Sequence, residues 1–191
     1  MAHSKNSIIT KTYSGKIGHI CLQNDGVMRS LPDTSKRKWS EKQEQHLSRF
    51  QRAKEYGRQV VADPKRSEYY AGYLKRWKKK KKNIGIYQLA VMDFMHTPEI
   101  RKFQLDKGYG RSGSTIVVGV MDVFGVAGVF VRIVLPGGET VEEGEAAPMI
   151  SGFRFGYVIR DPSLPRPGTI LRVKAWDVPG NIIEKEFNFF L

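Results

Sequence analysis

The period of the apolar residues changes once along this chain, near residue 100, and that change limits the folds open to it. Before it, apolar side chains recur every three or four residues. Leu47, Phe50, Ala53, Gly57 and Val60 form one series, Tyr69, Tyr70, Tyr73, Leu74 and Trp77 a second, and Tyr87, Ala90, Val91 and Phe94 a third. Such spacing lays a stripe along one side of an α-helix. After it, apolar and polar residues alternate. In "LRVKAW", Leu171, Val173 and Ala175 face one way while Arg172 and Lys174 face the other, the period of a half-buried strand.

Local signals bound these elements. Ser40 with Gln43 forms a capping box that starts a first helix. Asp63-Pro64 closes it and opens a second, with Asp as N-cap and Pro at the first helical position. A third helix is predicted from about Ile86 to Met95, stopped at Thr97-Pro98 because a residue before proline avoids helical geometry. Beyond it, "RKFQL", "TIVVGVM", "VAGVFVRIVL", "ETVEE", "SGFRFGYVI", "TILRVKAW" and "IIEKEFNFF" are candidate strands, with turns at Pro136-Gly137-Gly138, Asp161 to Gly168 and Val178-Pro179-Gly180-Asn181. Many short strands with turns between them predict a sandwich. At the other end of the chain, "SIITKTY", the glycine turn "SGKIG", and "HICLQ" and "VMRSL" flanking Asn24-Asp25-Gly26 predict short strands and a hairpin.

Charge divides the chain at the same place. Residues 1–104 carry 23 basic and 9 acidic side chains, net +14, whereas residues 105–191 carry 9 and 10, net −1. The expected organisation is therefore α+β: an N-terminal β-hairpin with a basic three-helix module over residues 1–99, then an immunoglobulin-like antiparallel β-sandwich over residues 100–191. The boundary is expected near residues 97–106.

Two resemblances add to this reading. "MDVFGVAGVFVRIVL" followed by "RVKAWDVPGNIIE" resembles bacterial Ig-like repeats, with Asp122, Gly125 and Val126 matching one element and Ala175, Asp177, Gly180 and Asn181 a second. It covers roughly the last 90 residues and implies a spacer or docking domain. The run "SGKIGHICLQNDGVMRSLP…SEKQ…RFQRAKEY…DPKRSEYY" is similar to a group of Bacteroidota and phage proteins without an assigned activity. That likeness implies a bacterial or phage source and no catalytic residue.

The basic module is the candidate site. Residues 75–82 hold seven cations in eight positions, Lys75, Arg76, Lys78, Lys79, Lys80, Lys81 and Lys82, while Arg49 and Arg52 decorate the preceding helix. Compensating a helix dipole needs one or two cations, and a solvated face usually interleaves Glu with Lys. No acidic residue stands between Lys75 and Asn83. Consecutive lysines repel one another, so a polyanionic partner is the simpler account of their clustering. The second helix's Tyr69, Tyr70, Tyr73 and Trp77 have two readings, a core stripe or stacking faces for unpaired bases.

Other chemistry finds little support. His3, His19, His46 and His96 are scattered and the single Cys21 has no partner at ligand spacing, so no metal site is expected from them. Asp122, Asp177, Glu142, Glu143 and Glu145 could gather calcium at one end of the sandwich, but loop carboxylates are usually solvated, and no cofactor is expected. "SGKIG" lacks the spacing of a phosphate loop, and no nucleophile or zinc-protease motif occurs. One cysteine gives no internal disulfide, no signal peptide is expected from the first ten residues, and no apolar run is long enough for a membrane-spanning helix. The expectation is a non-enzymatic protein, cytoplasmic or part of a virion if phage-encoded. Its basic module would contact nucleic acid or another polyanion through phosphates, and its Ig-like domain would dock to a protein or to itself. The alternative is a structural component of a phage particle or similar assembly.

Overall fold

A computed structural model describes residues 2–3, 15–22, 27–33, 38–79, 83–106, 114–150, 152–161, 164 and 167–188. The chain forms two compact units, residues Met1–Glu44 and Gln45–Leu191. The division expected near residues 97–106 thus falls inside the second unit, which holds helices and sandwich together.

In the first unit, β1 (Ala2–His3), β2 (Gly15–Ile17), β3 (Ile20–Leu22) and β4 (Val27–Ser30) form an antiparallel sheet in the order β1-β4-β3-β2. Gly18, at φ 58°, supports the turn between β2 and β3. The β3–β4 pairing is the hairpin expected around Asn24-Asp25-Gly26, although those three residues and all of "SIITKTY" lie outside the described residues.

Three helices follow, α1 (Glu41–Ala62), α2 (Pro64–Lys78) and α3 (Ile86–Met95). Their starts follow from side-chain chemistry. Ser40 N donates to Gln43 Oε1 at 2.9 Å and Gln43 N to Ser40 Oγ at 3.4 Å, the reciprocal capping box. Asp63 accepts from the backbone N–H groups of Lys65 and Arg66, ahead of Pro64. Helices α1 and α3 approach closely at Gly57, where a Cβ would stand 2.9 Å from both the Tyr87 ring and Val91.

The remaining strands make two antiparallel sheets. One orders β5 (Glu99–Asp106), β6 (Thr115–Met121), β10 (Arg154–Val158) and β9 (Ala147–Pro148) as β5-β6-β10-β9. The other orders β7 (Val126–Val134), β8 (Thr140–Glu145), β11 (Ile170–Asp177) and β12 (Ile182–Asn188) as β12-β11-β7-β8. The short β9 is an addition to the expected strands, and it places Pro148 on a sheet edge, where a missing N–H is tolerated. The two sheets share one core. Ile116, Val118, Val120, Phe155 and Tyr157 from one meet Val129, Val131, Ile133, Leu171, Val173 and Ala175 from the other, with Phe187 packed alongside. This is an antiparallel, sandwich-like α+β architecture. On the outer face, register aligns Glu186, Arg172, Arg132 and Glu143 in one row across β12, β11, β7 and β8. Glutamates at both ends pair with the two arginines, at 2.6 Å for Arg172–Glu186 and 2.7 Å for Arg132–Glu143. The like charges at the centre are thereby offset.

Candidate functional site

The helical stripe seen in the sequence is a core. Tyr70 is fully buried, and Tyr69, Tyr73, Leu74 and Trp77 pack around it with Phe124 from the β6–β7 loop. Trp77 stacks on Phe124 with ring centroids 5.7 Å apart, and Tyr70 and Tyr73 meet the same ring edge-on. Tyr69 and Tyr73 donate their hydroxyls to Phe124 O. Gly125 follows at φ 128°, with the Tyr69 and Tyr73 hydroxyls 3.3 and 3.4 Å from where a Cβ would be. The core reading of Tyr69, Tyr70, Tyr73 and Trp77 is the one realised.

The cations occupy the opposite arc of α2. Lys75, Arg76, Lys78 and Lys79 are exposed, and among the described residues no acidic side chain pairs with them. Arg52 is exposed on α1. Lys80, Lys81 and Lys82 lie outside the described residues. Arg49 turns elsewhere: its guanidinium is 3.3 Å from Asn181 Oδ1 and 3.4 Å from Phe94 O. It therefore serves the packing of α1 on α3 and the β11–β12 turn.

A second constellation lies beneath that turn. Asp93 on α3, Asp122 at the end of β6 and Asp177 at the end of β11 converge, with one carboxylate oxygen of each within 4.8 Å of the others. Asp93 is 0% exposed, Asp177 2%, and Asp122 half-buried. Each has one set of fixed partners. Asp93 Oδ2 accepts from the Tyr70 hydroxyl at 2.5 Å, and that hydroxyl also lies 3.0 Å from the Tyr56 hydroxyl. Asp122 Oδ1 accepts from the N–H groups of Phe124 and Gly125 at 2.8 and 3.2 Å. Asp177 accepts from Asn181 twice, at its backbone N–H (2.6 Å) and its Nδ2 (2.7 Å). Asn181 Nδ2 also lies 2.8 Å from His96 O and 3.2 Å from Phe94 O, so two hydrogens serve three acceptors.

Two buried oxygens are left over. Asp93 Oδ1 and Asp122 Oδ2 have no hydrogen-bond partner among the described residues. Burial raises the Asp93 carboxyl to about 7, the charges of Asp122 and Asp177 push the same way, and the Tyr70 hydrogen bond opposes them. Burial also raises Asp177, against the hydrogen bonds from Asn181. The matching tyrosines, Tyr69 and Tyr70, are held neutral far above their ordinary range by burial.

The sequence groups Asp122 and Asp177 with Glu142, Glu143 and Glu145 as loop carboxylates at one end of the sandwich. The glutamates go elsewhere: Glu142 accepts from Tyr157 and from the N–H groups of Arg160 and Asp161, and Glu143 pairs with Arg132. Asp93 was missed. Its signal was present, because with Leu89 and Ala90 it lies on the buried stripe of an apolar helix, where an ionisable residue is out of place.

No family model matches the sequence, and no curated protein is significantly similar to it. Among solved structures, the chain is similar to CopC from Methylosinus trichosporium OB3b, with a TM-score of 0.38 and 16% identity over 49% of this chain and 91% of that one. It is also similar to a polysaccharide deacetylase from Bacillus cereus, with a TM-score of 0.33 and 12% identity, covering 48% of this chain and 30% of that one.

Proposed function

We propose that this is a non-catalytic binding protein whose helical layer contacts nucleic acid through phosphates. The observation that carries this reading is the division of α2 into two faces. Its aromatic face is occupied by Phe124, while Lys75, Arg76, Lys78 and Lys79 project outward without acidic partners among the described residues. With its aromatics engaged, such a surface offers charge without base stacking, so sequence readout is small. Lys80, Lys81 and Lys82 extend the same block of charge along the chain. We read the sandwich as an Ig-like docking domain in a cytoplasmic or virion-borne protein. Exposed Met149, Ile150 and Phe153 beside β9 and β10 offer an apolar surface for that role, and for the alternative of a structural assembly component.

Binding to duplex DNA across a salt series tests the first reading. About five phosphate contacts give a log-log slope of roughly −4 to −5. Replacing Lys75, Arg76, Lys78 and Lys79 together by Gln removes four of the seven clustered cations, so it should flatten that slope by roughly half and leave the fold intact, since exposed Gln is a comparable helix former. Absence of retention on either DNA or RNA at low salt overturns the reading.

A further inference from the structure

We infer that Asp93, Asp122 and Asp177 form a binding site for a calcium ion, which ties α3 to the two sandwich loops. The acidic cluster alone would not carry this. The second observation is the fully buried Asp93 side chain, whose Oδ1 has no partner, accompanied by Asp122 Oδ2 in the same state. A native interior rarely leaves two buried carboxylate oxygens without a hydrogen-bond partner. The other oxygens of these residues are already used by Tyr70, by the Phe124 and Gly125 N–H groups and by Asn181. The surrounding donors thus orient the three carboxylates and leave one direction open on two of them.

The donor set selects the cation. All three ligands are oxygen, with no imidazole or thiolate in the cluster, which favours a hard ion over zinc or copper. Two oxygens bound to one calcium at about 2.4 Å stand at most about 4.8 Å apart, and the three oxygens here lie within 4.8 Å of one another. Magnesium demands a near-ideal octahedron at about 2.0–2.1 Å and gives up its waters reluctantly, so a mostly buried carboxylate cluster suits it less. Of the three aspartates, Asp122 is the one that also lines a surface groove, with Thr97, Glu99, Phe124 and Gly125. The site would then be a joint: its ligands come from α3, from the end of β6 and from the end of β11. The inference is independent of nucleic-acid binding.

The test uses the whole chain. Equilibrium dialysis of calcium at pH 7.5, after treatment with chelator, should give one ion per chain. Thermal unfolding should shift upward by about 5–10 °C at a hundredfold excess of calcium over its Kd, and less with magnesium. Asp122→Asn keeps an oxygen for the Phe124 and Gly125 N–H groups, and Asp93→Asn keeps one for Tyr70. Both should fold without calcium, because a like charge has been removed, and both should lose the calcium-dependent shift. No bound calcium in the unmodified chain overturns the inference, as does a shift that both variants retain, a shift reproduced by sodium chloride of equal ionic strength, or a response to magnesium alone.

Discussion

Tyr70 on α2 donates a 2.5 Å hydrogen bond to Asp93 on α3, and both residues are fully buried. The bond crosses between helices and meets an acid whose other oxygen has no partner among the described residues. Tyr70→Phe would leave that carboxyl with neither oxygen satisfied. Loss of about 1–3 kcal/mol is expected, the cost of stranding a buried polar group. The loss should be larger at pH 8 than at pH 5, because an ionised Asp93 needs the donor more than a protonated one does. Urea unfolding at the two pH values measures it, and equal losses would contradict the assigned role of the hydroxyl.

Asp93 also sets a pH dependence. Its folded carboxyl titrates at about 7, well above an unfolded aspartate, because burial and the charges of Asp122 and Asp177 outweigh the Tyr70 hydrogen bond. The native state therefore keeps a proton that the unfolded chain has already released. Its stabilising effect is complete below about pH 4 and is lost as pH rises from there to about 7. In chelator, stability should fall across that window by up to about 1.4 kcal/mol per pH unit for the one proton. Asp93→Asn should flatten the profile. Denaturant midpoints at pH 5, 6, 7 and 8 follow it, and a rise with pH would refute the sign.

Trp77→Ala separates packing from recognition. Trp77 is half-buried and stacked on Phe124, so truncation should cost about 2–4 kcal/mol, somewhat less than for a fully buried tryptophan. The folded fraction should keep its affinity for single-stranded DNA. A stable variant with selectively weakened single-strand binding would return the indole to a stacking role.

What was legible in the sequence was local. The Ser40–Gln43 box and the Asp63-Pro64 cap each need only three or four neighbouring residues, and both form. Alternation in "TIVVGVM" and "LRVKAW" needs only the pleat, and those segments lie in β6 and β11. What could not be read was set by register and packing. The Glu186–Arg172–Arg132–Glu143 row exists only once four strands are aligned. The meeting of Asp93 with Asp122 and Asp177 depends on how α3 docks on two loops. Period and charge change together near residue 100, while Phe124 inserts into the helical stripe from beyond that point, a contact no local pattern announces.

That insertion bears on which fragments fold. Phe124 is 1% exposed, covered by Tyr70, Tyr73 and Trp77, and Asn181 is held by the Phe94 and His96 carbonyls and by Arg49. A fragment of residues 100–191 keeps the sandwich core but bares the Phe124 ring and strips Asn181 of its helical partners. Exposing one phenylalanine side chain costs about 1.5–3 kcal/mol, and Asn181's hydrogen bonds add about 1 kcal/mol each. A fragment of residues 45–191 retains all of these contacts. It should unfold in one cooperative transition, at a clearly higher urea midpoint than residues 100–191. Phe124→Ala in the longer fragment should lower that midpoint, at a cost of about 3–5 kcal/mol. Equal midpoints for the two fragments would mean that the helices lend the sandwich no stability, and that the domain edge lies near residue 100 after all.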